Sequence, residues 1–181
     1  MKIIKSTQFI VLVMALIIAI PAKSIAQGAK DVKMSLAAEA YVYGYPLVYD
    51  VTEYLRSASG PNLVWSAPVN TFGHGRALGT ADDKIVSMNP NVLMSGLMAD
   101  VSQEPLVVHV PDMRGRYHVL QCIDAWTNNF AYIGRRSVGS KDGFYLFAGP
   151  GWKGDAPANV TLIRAPTSIF TIITRIQVTD R

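Results

Sequence analysis

From about residue 92 to residue 178 the chain breaks into seven short apolar runs, each closed by Gly, Pro, Asn or Asp. They fall near 92–99, 105–111, 116–123, 129–134, 143–148, 159–164 and 169–178. Runs this short, bounded by turn formers, read as strands rather than helices. Six or seven strands packed into about 95 residues suit two stacked sheets. The expected fold is therefore mainly β, an immunoglobulin-like antiparallel β-sandwich over 85–181, preceded by an N-terminal helical segment. The last run, "TSIFTIITRIQVTDR", has no capping element after it. A strand left at an edge exposes unpaired backbone groups, so either it pairs internally or the natural protein continues. The sandwich is expected to be truncated at its C-terminal end.

The first 26 residues carry a different signal. Lys2 and Lys5 precede the apolar run "FIVLVMALIIAI", which Pro21 closes, and Ser24 and Ala26 supply two small residues at a small-x-small site. A cationic start, a short apolar core and such a site define a secretory signal. The run is shorter than the roughly 20 residues a membrane-spanning helix needs. Residues 1–26 are thus expected to be cleaved after Ala26, and the protein to be exported, periplasmic or extracellular, touching a membrane only through that segment.

Removing the segment changes the charge argument. The chain has 17 basic and 13 acidic residues, and Lys2, Lys5 and Lys23 leave without an acid. The remaining balance is 14 to 13, with no basic run, so nucleic-acid binding is not expected. The single Cys122 sits among apolar neighbours and cannot form an internal disulfide. It reads as a buried thiol.

Residues 27–34 form a polar leader, and 35–84 a helical segment with a packing loop. Ser35 is a candidate N-cap. Leu36, Ala40, Tyr43, Leu47, Val51 and Tyr54 recur at helical spacing. Pro46 should bend or break the helix, which predicts two pieces over 35–44 and 46–57. The tyrosines are expected to bury their ring faces and leave hydroxyls at the rim. Residues 57–83 are rich in turn formers, and His74, between Gly73 and Gly75, reads as an exposed loop histidine with some capacity to hold a ligand. These glycines do not form a dinucleotide fingerprint, because no strand clearly feeds them and no helix clearly follows.

Two constellations could carry chemistry. If Asp112–Gly115 is a four-residue hairpin loop, Pro111 faces Arg116 and His109 faces His118. Directly opposed Cβ atoms lie about 4.5–5.5 Å apart, close enough for both imidazoles to share a metal. The alternative is a cross-strand pair on a half-buried face, since a metal site needs a third protein ligand. The second constellation is Asp124, Trp126, Asn128 and Arg135, which could line a pocket for a polar small molecule. The same residues could equally form a buried corner, with Asp124 capping backbone amides and Trp126 closing the core. No nucleophile elbow or nucleophile–base pair is visible, so no catalytic residue and no cofactor is assigned.

The segments "NPNV", "LVVHVPDMRGRYHVLQCIDAWTNN", "GFYLFAGPGWKGDAPANV" and "IRAPTSIF" together resemble the bacterial domain-of-unknown-function 1254 family. The resemblance runs from about Leu36 to Arg181. It implies an N-terminal helical segment, an immunoglobulin-like sandwich and, usually, a second β domain in the same chain. It implies no reaction. Positions 109 and 118 are not typically histidine in that family, and "PNV" lacks the Asp-Thr pair that usually follows Pro-Asn. The reading that results is a non-catalytic structural or binding module that packs on a partner domain or subunit. The alternative is a fragment of an enzyme or small-molecule-binding protein, whose pocket near Asp124, Trp126 and Arg135 is completed by another domain.

Overall fold

The computed structural model describes the backbone of residues 6–60, 65–83 and 89–178, with side chains from residue 32 onward. The expected signal segment and its expected cleavage site lie outside the residues whose side chains are described. The described chain is one helix followed by eight strands, α1 (Ser6–Ser59), β1 (Phe72–His74), β2 (Val92–Asp100), β3 (Leu106–Val110), β4 (His118–Asp124), β5 (Asn129–Gly134), β6 (Gly143–Ala148), β7 (Val160–Arg164) and β8 (Ile169–Gln177). Residues through Tyr45 form one compact unit and those from Pro46 another.

The helix differs from expectation in three ways. It runs without a break through Pro46. A proline removes one backbone hydrogen bond, and here the turns on either side stay helical. Helical backbone also extends upstream through the expected polar leader, so Ser35 is interior rather than an N-cap, and its Oγ lies 3.2 Å from Glu39 Oε1. Burial among the described side chains, finally, is strongest in the C-terminal part. Leu47 and Val51 are half-buried and Tyr54 and Ser57 buried, whereas Leu36, Ala40, Tyr41, Tyr43 and Tyr45 are exposed. No helix among the described residues is long and apolar enough to cross a membrane.

Two sheets make the sandwich, one of five strands in the order β1-β2-β8-β4-β5 and one of three in the order β3-β6-β7. Every ladder is antiparallel except β6–β7. The C-terminal strand is not an edge. β8 pairs along its length with β2 on one side and β4 on the other. Its alternation sends Phe170 and Ile172 into the core between the sheets, where they meet Leu97, Leu120, Cys122 and Phe147. The Cys122 thiol is fully buried, and burial pushes its pKa up to about 12, which makes it inert.

The outer face of the five-stranded sheet has its own small core. Gly73 and Gly96 stand opposite each other on β1 and β2. A Cβ at Gly96 would lie 2.1 Å from the Trp65 ring, and one at Gly73 would lie 1.8 Å from the Trp65 carbonyl oxygen. The two glycines thus open a slot that Trp65 fills against Val92, Met94 and Ile173.

Residues 105–123 do not form a hairpin. β3 pairs with β6 in the smaller sheet, while β4 lies between β8 and β5 in the larger one. The connection crosses from sheet to sheet because Met113 is drawn into the core, where its N–H donates to the Ser140 carbonyl. Arg114 and Gly115 follow with φ of 51° and 77° and turn the chain. Asp112 braces them by accepting from the Arg114 N–H at 2.7 Å.

Candidate functional site

The predicted pairing of His109 and His118 is therefore absent, since the two residues occupy strands of different sheets. His109 stands opposite Phe144, with the rings stacked at 4.4 Å, and lies 3.9 Å from Asp142. His118 is buried beside β8, and its Nδ1 donates to the Arg116 carbonyl at 3.3 Å. Among the described residues no group of three or more His, Cys, Asp or Glu is placed to hold a metal.

The second constellation divides. Asp124 ends β4 after a register shift at Cys122/Ile123. Its Oδ1 accepts from the N–H groups of Trp126 at 2.9 Å and Asn128 at 2.8 Å, and the Asn128 side-chain amide reaches both carboxylate oxygens at 3.2–3.3 Å. The carboxylate is buried and supplies the acceptors for a turn in which Thr127 adopts a φ of 69°. Trp126 is half-buried and Asn128 exposed. Arg135 is elsewhere. It follows the far end of β5, roughly 20 Å along the strand, where its N–H donates to the His118 carbonyl. Asp124, Trp126 and Asn128 build a corner that Arg135 does not join.

A carboxylate absent from the sequence reading lies near that corner. Asp50, on the helix, has its pKa raised from 3.8 to about 6, first by burial and then by the Asp124 charge. It lines a cavity of about 170 Å³ with Glu53, Tyr54, Trp65 and Thr171.

The register brings together a more informative group between the sheets. Ser95 faces His74 across β1–β2 and Thr174 across β2–β8, and Thr174 faces Leu120 across β8–β4. Three hydrogen-bonding side chains thus form one row on the inner face of the larger sheet. His74 Nδ1 is 2.9 Å from Ser95 Oγ, and Thr174 Oγ1 donates to the Ser95 carbonyl at 3.2 Å. Ser95 and Thr174 are buried, while His74 is exposed. The row lines a cavity of about 110 Å³ whose other walls include Phe72, Val108, Val110, Met113, Leu120 and Ile176. A pocket that is mostly apolar with a few convergent polar groups is the usual form of a small-ligand site. His74 belongs to a short strand rather than a loop. The signal that sequence reasoning missed was the cross-strand alignment of residues 21 and 79 positions apart.

Fold and site together define a β-sandwich, preceded in the chain by a helix, with a small and mostly apolar cavity between its sheets. The chain belongs to the family described as "Protein of unknown function (DUF1254)", which it matches over residues 69–181. It is also similar to the solved structure of the VPA0106 protein from Vibrio parahaemolyticus, a structural-genomics target. The TM-score is 0.66 at 29% identity, over 81% of this chain and 33% of that one. The chain thus corresponds to about a third of the Vibrio protein's length. No curated protein matches it.

Proposed function

We propose that this is an exported, non-catalytic β-sandwich module that docks a further β domain through the outer face of its three-stranded sheet. One observation carries the reading. The register lines up Val107, Leu146 and Leu162 in one row and His109, Phe144 and Val160 in the next, a face across all three strands that is apolar except at His109 and in which Leu146 is buried. Val107 and Phe144 on it are 52% and 42% exposed. A contiguous apolar face at a surface is a mark of an interaction site. Asp142 and Lys141 border it, giving the polar rim typical of such interfaces. In the Vibrio protein the matched region is accompanied by a much longer stretch of chain, which supports a partner domain as the occupant. Export rests on Lys2, Lys5 and the apolar run that follows them.

The test is a chimera in which this chain replaces the matched third of the Vibrio protein. Docking predicts one cooperative thermal transition, and a V107D/F144D pair should split it into two. Two independent transitions in the unmutated chimera would contradict the proposal.

A further inference from the structure

The cavity beneath β1 has a chemical polarity that its size alone does not reveal. Its walls are apolar except along the His74–Ser95–Thr174 row and at His109, which stacks on Phe144. Thr174 has one proton to give, and that proton goes to the Ser95 carbonyl. A hydroxyl has two lone pairs besides its proton, so Thr174 offers the cavity acceptor capacity only. Ser95 Oγ also retains acceptor capacity, because a hydroxyl can serve more partners than its one contact with His74 Nδ1. Among the described residues no Lys or Arg lines the cavity, and burying an unpaired carboxylate or ammonium there would be costly. The occupant that fits is neutral, apolar over most of its surface, and equipped with one hydrogen-bond donor. Its size is bounded too. An enclosed apolar cavity of about 150 Å³ takes up benzene; this one, at about 110 Å³, is smaller but opens to solvent beside the exposed His74, so a single ring is the upper limit and would reach into the opening.

From these features we infer that the His74–Ser95–Thr174 cavity is a binding site for a small uncharged hydroxyl compound, of the size and polarity of a single-ring phenol. The O–H would donate to Ser95 or Thr174, and the ring would lie against Val108, Met113 and Leu120. The docking face lies on the other side of the smaller sheet, and the two share His109.

The experiment is a titration of the full chain with phenol, and with toluene as a probe of nearly equal shape and no donor. The readouts are the Kd and the NMR signals of the His74 ring. Phenol should shift the His74 signals and bind about fivefold more tightly than toluene, the worth of one net hydrogen bond. The Ser95→Ala/Thr174→Val pair removes both acceptors and should remove that preference, leaving toluene binding unchanged. Should the pair not fold, Thr174→Val alone, which keeps the side-chain shape, or Ser95→Ala alone should reduce the preference. Equal affinity for phenol and toluene, His74 signals that do not move, or a preference undiminished in the folded variant would each overturn the inference.

Discussion

The turn at Asp124 and the row at His74, Ser95 and Thr174 are both polar groups set into an apolar sandwich, yet they differ in what they leave over. Asp124 gives its acceptor capacity to the N–H groups of its own turn. The row satisfies itself with a minimum of bonds and keeps acceptor capacity at residues that line a cavity. Read along the chain, "DAWTNN" looked the more chemical of the two, with an acid, an indole and two amides close together. Composition marks where polar groups are, whereas function needs polar groups with valence to spare.

The largest expected effect follows from that difference. Asp124→Ala should destabilise the protein by about 3 kcal/mol, because it strands buried N–H groups that the carboxylate now accepts from. Thermal or denaturant unfolding measures it, and a change below about 0.5 kcal/mol would mean that the turn does not depend on this side chain. Thr174→Val should cost only about 1 kcal/mol, the typical net worth of one hydrogen bond. If it cost as much as Asp124→Ala, the row would be structural and the contrast would fail.

Asp50 gives a smaller effect with a pH signature. Its pKa is raised in the folded state from 3.8 to about 6, so the folded protein holds that proton more tightly than the unfolded chain. The stabilisation this provides is complete below about pH 4 and is lost as pH rises through about 6. Asp50→Asn should therefore leave stability unchanged at pH 3.5 and raise it at pH 7.5. Asp50 is only half-buried, so the gain should stay under about 1 kcal/mol after solvent screening. Equal melting shifts at both pH values would show that the side chain is not titrating in this window. Glu53 and Tyr54 share the cavity, so the comparison is best made in an otherwise unchanged chain. Arg135→Ala should do least, within about 0.5 kcal/mol, as expected of an exposed side chain at the far end of β5. A loss of 2 kcal/mol or more would tie it to the Asp124 corner after all.

Much of the sandwich was legible because strand periodicity is local. The seven expected runs match β2 to β8 within a residue or two at most ends. β1 was missed because three residues carry no period, and its central Gly73 has a purpose only in the folded state, as part of the slot for Trp65. The hairpin was misread because sequence neighbours usually pair. The contrary signal was Met113, an apolar residue in a loop otherwise built of Pro, Asp, Arg and Gly. The candidate pocket split because Asp124 and Arg135 are close in sequence but lie at opposite ends of a hairpin. The cavity row could not be read at all, since its members come from strands near residues 74, 95 and 174 that only the sheet order brings together.

The central claim is that the row offers spare hydrogen-bonding capacity to a cavity, whereas the Asp124 carboxylate spends most of its own on its turn. A single backbone-amide NMR titration with phenol examines both regions at once. The account predicts shifts at His74, Ser95 and Thr174 and none at Trp126 or Asn128. Shifts centred on the Asp124 turn, or none at either place, would contradict it.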